Sequence, residues 1–329
     1  MIIENSILTL IKMAMVGHQK QREFLKRSAA ANRISHAYLF TGPEKVGKKS
    51  AALEWISFLF DSKIREGNVH PDFFYVKADP ETNNIKIEQI RDLIWKLSLK
   101  PVLAPLKVAV IDNAHLMTAD SQNCLLKTLE EPNGRTLLIL TVQNPRLLLP
   151  TVVSRCETVR FNFVPPNEIG DYLNNEFGAN PGVADIGEIT RLSFGRPGRA
   201  VDFISNPEEL KIWQNEIKDL SRAVSGGLGE RFKYVKNISE EKKIGEILEI
   251  WSIYFRGLLM EALKEKEKGV EPAVNLGDAK KFEFSKTTNS AFSLDKISLI
   301  LKKIEQLNYI LFATNVNEKL ALETLMLEI

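Results

Sequence analysis

Gly42, Gly47 and Lys48 have the spacing of a phosphate-binding loop. Glycines let backbone N–H groups turn toward a phosphate, and the lysine neutralises its charge. Such a loop normally continues with Ser or Thr, whose hydroxyl ligates Mg²⁺. Here that residue is Lys49, and Ser50 comes one place later. An ammonium cannot coordinate a cation, and one residue turns a side chain about 100° round a helix. A second half-site lies downstream, where the apolar run Val108 to Ile111 ends in Asp112. P-loop nucleotide hydrolases keep an acid there for Mg²⁺. A Glu often follows it to activate water; here Asn113 follows, and an amide cannot take a proton. Singly, each half has an ordinary reading, a Gly-rich turn and a strand ended by an Asp–Asn turn. Together, in order and each at a strand end, Gly42, Gly47, Lys48 and Asp112 read as one degenerate nucleotide site.

The elements that must position these residues follow from pattern. Ala37 to Phe40 is an apolar run suited to a buried strand, and Ser50 to Phe60 continues as a helix. Further strands are expected over Pro71 to Val76, Lys107 to Asp112, Thr136 to Thr141 and Glu157 to Phe161. Between them, Ile87, Ile90, Leu93, Ile94 and Leu97 form a helical stripe, and Thr118 can cap a helix over Ala119 to Glu130. Strands alternating with helices argue for a parallel sheet covered on both faces. Val164-Pro165-Pro166 breaks this pattern, and three short helices are expected from Asn167 to Asn206, with the turn Gly195 to Arg199 before the last. From Pro207 the chain reads as helical, interrupted by a loose polar segment over Lys264 to Ser290.

Several residues keep two readings. His18 can cap the helix ending at Ala31 or touch a base, and His70 reads as structural. Arg155 reads from its surroundings as a surface salt bridge at a strand start. Lys86, Arg91 and Lys96 could follow phosphates, although a charged helical face is usually just solvated.

At 329 residues the chain is too long for one compact core and suggests two or three domains. Its 44% hydrophobic and 26% charged residues are ordinary for a globular protein, and a net charge of +2 neither demands nor excludes nucleic acid. Cys124 and Cys156 form no CxxC pair, which argues against a zinc site or disulfide framework. The first fifteen residues carry Glu4 and Lys12 and read as part of the fold rather than a signal peptide. No uncharged run approaches the ~18 residues of a membrane span. A cytoplasmic location is expected.

Five stretches together carry a family resemblance. They are His36 to Pro43, His70-Pro71-Asp72, Val110-Ile111-Asp112, Leu125 to Pro132 and Ser154-Arg155-Cys156. On these the chain resembles the clamp-loader group of AAA+ proteins, in the delta-prime family of bacterial DNA polymerase III subunits. The match runs over roughly residues 16–205 and rests more weakly on Asn315-Val316-Asn317 and the Leu-rich tail. It implies an α/β, AAA+ P-loop domain with a five-stranded parallel sheet over residues 1–165, a three-helix lid over 166–206 and an all-α collar for oligomerisation over 207–329. Collar stripes such as Leu320, Leu322, Leu325 and Leu327 with Ile310 and Leu311 would be partly buried only in the assembly.

The resemblance also implies partners: delta and tau/gamma clamp-loader subunits, and through the complex the sliding clamp and primed DNA, with no membrane. Arg155 would act as an arginine finger in trans on a neighbour's nucleotide. No cofactor would be required, with ATP or ADP binding weak or absent. The four-cysteine zinc module of many relatives has no counterpart between Ala51 and Leu106, so no zinc is carried over. Active relatives place an arginine in the lid turn near Gly198, here flanked by Arg196 and Arg199, and a polar sensor near Gln143. Lys49, Asn113 and Gly198 favour a subunit without independent ATPase activity. The alternative, an ATP-hydrolysing tau/gamma-type subunit, would need Ser or Thr at 49, an acid at 113 and an arginine near 198. A small-molecule P-loop kinase suits neither the Pro165-Pro166 break nor the helical tail.

Overall fold

The computed structural model describes residues 15–64, 70–132, 134–178, 185–241, 244–267, 274–275, 291–313 and 317–329. The expectations for Met1 to Ala14, and for Asn315 and Val316, lie outside these residues. The chain divides into two compact units, Met1–Asn206 and Pro207–Ile329.

The first unit is built on a five-stranded parallel sheet in the order β2-β3-β4-β1-β5. The strands are β1 (Ala37–Thr41), β2 (Phe73–Val76), β3 (Lys107–Ile111), β4 (Thr136–Val142) and β5 (Glu157–Arg160). Their helices are α1 (Gln19–Ala30), α2 (Lys48–Leu59), α3 (Ile87–Ser98), α4 (Ala119–Glu130) and the single turn α5 (Pro150–Val153). β1 and β3 are buried at every position, because helices cover both faces of the sheet. Side chains alternate between those faces. Tyr38 and Phe40 pack with Leu25 of α1 and with Trp55 and Ile56 of α2. Ala37 and Leu39 pack on the other side with Ile90 and Leu93 of α3, Leu125 of α4 and Val152 of α5. Thr118 caps α4 as expected, its hydroxyl accepting from the Ser121 N–H.

Helices α6 (Pro166–Phe177), α7 (Ile186–Ser193) and α8 (Pro197–Ser205) complete this unit. The turn expected over Gly195 to Arg199 is shorter in the structure. Pro197 occupies the first turn of α8, where its missing N–H costs nothing, so Gly198 and Arg199 are already helical.

The second unit contains α9 (Pro207–Ser225), α10 (Leu228–Glu241), α11 (Ile244–Glu267), α12 (Leu294–Ala313) and α13 (Glu318–Glu328). Trp251, Phe255, Leu220 and Ile304 are among its buried residues. Leu322, Leu325, Met326 and Ile329 are buried at the i, i+3, i+4, i+7 spacing of one helical face. Leu320 and Leu327 lie off that face and are exposed. The segment expected to be loose from Lys264 begins inside α11. Val274–Asn275 then pairs antiparallel with Ala291–Phe292, so the unit is not purely helical. There the chain leaving α11 and the chain entering α12 take up each other's main-chain donors and acceptors, which neither helix can satisfy. Among the described residues no helix is long and apolar enough to cross a membrane.

Candidate functional site

The loop opens where β1 ends. Gly42 has φ 147°, and a Cβ on it would lie 2.0 Å from the Phe161 carbonyl oxygen. Phe161 is fixed there by donating its N–H to the Thr41 carbonyl at 2.7 Å. Gly42 is therefore required by the close passage of the chain after β5. Gly47 differs: it has φ 106° with open space around a would-be Cβ, and it caps α2. This left-handed cap starts the helix at Lys48, two residues before the expected Ser50.

Lys48 turns back into its own loop. Its Nζ donates to the Gly42 and Pro43 carbonyl oxygens, both at 2.6 Å, and the residue is only 7% exposed. Burial lowers its pKa to about 8, against the raising influence of Glu44 and Asp112 and with further lowering by Arg196. His115 is likewise held below its ordinary value, first by burial and then by Lys48.

Asp112 follows β3 as expected, but both of its oxygens are engaged. Tyr75 donates its hydroxyl to Oδ2 and Thr141 donates to Oδ1, each at 2.7 Å. The Lys49 ammonium lies 5.2 Å from the centroid of the Tyr75 ring, a cation–π contact. Mg²⁺ needs oxygen ligands in octahedral array, and Lys49 offers none where the loop would supply a hydroxyl. Hydroxyl protons point at the carboxylate, and a fixed cation stands in the position of the missing hydroxyl ligand. The phosphate half fits better, since Gly47 and the first turn of α2 keep the loop form.

Helix α8 touches this loop. The Gly198 N–H donates to the Lys45 carbonyl at 2.9 Å, and the Lys45 ammonium pairs with Asp202 at 3.0 Å. A Cβ at 198 would sit 3.0 Å from that same carbonyl. An arginine at 198, which the resemblance leads one to expect of an active subunit, would need the loop to give way. Arg196 lies over the Phe163 ring at 5.6 Å, and both Arg196 and Arg199 are buried. Gln143, the expected sensor, donates to Glu44 of the loop.

Arg155 lies apart from this cluster. β5 pairs in parallel with β1, from Tyr38 with Glu157 to Thr41 with Arg160. Arg155 precedes the start of β5, whereas the loop follows the end of β1. About 10 Å of paired strand separates the two ends. The guanidinium donates from NH1 to the Thr151 carbonyl at 2.9 Å and from NH2 to Glu130 Oε1 at 2.5 Å, and its side chain is 34% exposed. The structure thus contains the surface ion pair that the local sequence suggests.

The histidines and lysines singled out from sequence are otherwise engaged. His18 stands at the cap position of α1, but its ring donates to the Val46 carbonyl at 3.0 Å and meets the edge of Phe161. It does not cap the helix. His70 accepts the Asp72 N–H at its Nδ1. Lys86 pairs with Asp79 and Lys96 with Asp92.

Sequence reasoning missed the partners. Tyr75 and Thr141 hold Asp112, and Glu130 holds Arg155. Buried Asp72 accepts from the N–H groups of Val102, Leu103 and Ala104 at 2.7–2.8 Å. Burial pushes the Asp72 carboxyl up, but the three donors more than offset this and hold it below the usual carboxylate range. Every one of these partners is distant in sequence, and no local pattern signals them.

Residues 17–165 match the protein-family model described as DNA polymerase III, delta subunit. DNA polymerase III subunit delta' of Bacillus subtilis is 36% identical over 165 residues, covering 46% of this chain and 49% of that protein. The Pseudomonas aeruginosa subunit delta' is 33% identical over 136 residues, 37% of this chain and 42% of that one. The chain thus spans about half the length of the curated relatives it matches. A solved DNA polymerase III gamma subunit-related protein from Thermotoga maritima aligns over 93% of this chain and 97% of its own, at 20% identity and TM-score 0.48.

Proposed function

Starting from the match of residues 17–165 to the DNA polymerase III delta-subunit model and the similarity to curated delta' subunits, we propose that the chain is a non-hydrolysing subunit of a clamp loader. It donates Arg155 to the nucleotide of a neighbouring ATPase subunit. Its partners on this reading are the delta and tau/gamma subunits, and through them the sliding clamp and primed DNA. It needs no cofactor of its own.

The observation that carries the reading is the separation of the two cationic sites along β1 and β5. Arg155, at the start of the strands, is badly placed to serve a phosphate held after their end in the same chain. It stands at an exposed edge, open to another molecule. The internal engagement of Lys48 and Asp112, with Lys49 replacing the hydroxyl ligand, supports the absence of turnover here. In the neighbour, bound ATP supplies the γ-phosphoryl that water attacks, with ADP leaving. A guanidinium stabilises the charge that builds on the transferring oxygens, worth about 10³–10⁵ in rate for such fingers generally.

The test is ATP turnover by the reconstituted loader with clamp and primed DNA. Arg155→Ala should assemble normally and lower turnover by at least about 10²-fold, a conservative share of that range. Arg155→Lys should rescue poorly, because a point charge lacks the planar fork. Unchanged turnover in a fully assembled Arg155→Ala complex would overturn the proposal.

A further inference from the structure

We propose that Glu130 is a positioning residue for Arg155, an inference that rests on the donated-finger reading above. Glu130 is the last residue of α4, and Arg155 follows the single turn α5. The two are 25 residues apart in sequence and are joined by the 2.5 Å bond from NH2 to Oε1. NH1 is held separately by the Thr151 carbonyl, with a longer 3.5 Å approach to the Ser154 hydroxyl. The guanidinium plane is thereby fixed at two points, one on α4 and one on α5.

This hold leaves the Nε proton and the second NH2 proton outside both bonds. A guanidinium has five donors in a rigid fork, so one edge can be anchored while the other faces a phosphate. An unanchored arginine would have to freeze several rotatable bonds each time it met the neighbour's nucleotide. An anchored one has done so beforehand, and orienting a reacting group in advance is a large source of rate. Both side chains are substantially exposed, 34% for Arg155 and 50% for Glu130. Exposed ion pairs add little to stability.

Competition with phosphate for the guanidinium is the opposite effect, and the experiment separates the two. If Glu130 only competed with phosphate for the guanidinium, its removal would release the finger and speed the neighbour's reaction. The positioning role requires the reverse.

The experiment uses the reconstituted complex with clamp and primed DNA, comparing Glu130→Ala, Glu130→Gln, Arg155→Ala and the Glu130→Ala/Arg155→Ala double variant. Glu131→Ala, removing the adjacent exposed carboxylate, is the charge control. Glu130→Ala should lower kcat about tenfold, one part of the gain available from orientation, with little change in the KM for ATP. Glu130→Gln should recover much of that loss, since an amide oxygen still accepts the bond. The double variant should be no slower than Arg155→Ala, because a positioning residue has nothing left to position. Glu131→Ala should behave as wild type. The inference is overturned by wild-type or raised turnover in Glu130→Ala while Arg155→Ala is impaired. It is equally overturned by losses that multiply in the double variant. Full turnover in Arg155→Ala removes the donated finger itself, and this inference with it.

Discussion

The loop corner and the Arg155 rim each hold a cation, in opposite ways. Lys48 is 7% exposed and donates to two carbonyls of its own loop. Arg155 is about a third exposed, anchored along one edge by Glu130 and Thr151, with donors to spare. Burial explains the difference. A buried cation must have its hydrogen bonds satisfied inside the chain, because leaving them unmade is costly. A phosphate reaching Lys48 meets an ammonium with two of its three protons already given to main-chain carbonyls. A rim cation stays solvated and can exchange water for a new partner at small cost. On the proposed reading, the chain turns its own nucleotide chemistry inward and its usable charge outward.

The comparison is sharpened most by substitutions in the interior, where the largest stability losses are expected. Gly42→Ala places a methyl 2.0 Å from the Phe161 carbonyl and should cost about 3 kcal/mol or more in urea unfolding. Gly47→Ala, in the same loop but with open space, should cost only the left-handed backbone term of about 1–2 kcal/mol. Equal losses would mean that the loop conformation, rather than packing on the chain after β5, sets the requirement at 42.

Next in size is Asp72→Asn. The amide turns a donor toward three main-chain N–H groups that now share a carboxylate, and about 2–3 kcal/mol should be lost. The pH dependence has a definite sign. The folded carboxyl titrates below its unfolded value, which is near 3.9. Its stabilisation is therefore complete above that value and lost as pH falls through the lower folded one. The gap between wild type and Asp72→Asn should stay constant above about pH 5 and close below about pH 4. A gap that persists into acid would assign the loss to packing.

The smallest stability effects belong to the rim. Arg155→Ala and Glu130→Ala should each shift unfolding by no more than about 0.5 kcal/mol. A loss of 2 kcal/mol or more in either would break the contrast between interior and rim, because the pair would then be part of the fold.

The sequence alone determined the order and type of nearly every element in the sheet unit. Strand runs such as Lys107 to Ile111 and the Thr118 cap of α4 are signalled by residues adjacent to each other, through a continuous apolar run and a local hydrogen bond. The placement of Gly42, Gly47 and Lys48 around the start of α2, and of Asp112 after β3, was legible for the same reason, since the end of a strand is a local pattern. The stripe on α13 was only half legible, because Leu320 and Leu322 are equally apolar and only packing decides which is buried.

Tertiary structure alone decided what each site residue is bonded to. Tyr75 reaches Asp112 across 37 residues, Arg155 reaches Glu130 across 25, and Asp72 reaches Val102 across 30. Such pairings depend on strand order and helix docking, which bring distant segments within 3 Å of one another. No spacing rule in the chain encodes that distance. For the same reason, residue types could mark Arg155 as a cation at a strand start, but only the parallel register of β1 and β5 places it at the opposite end of the sheet from the loop.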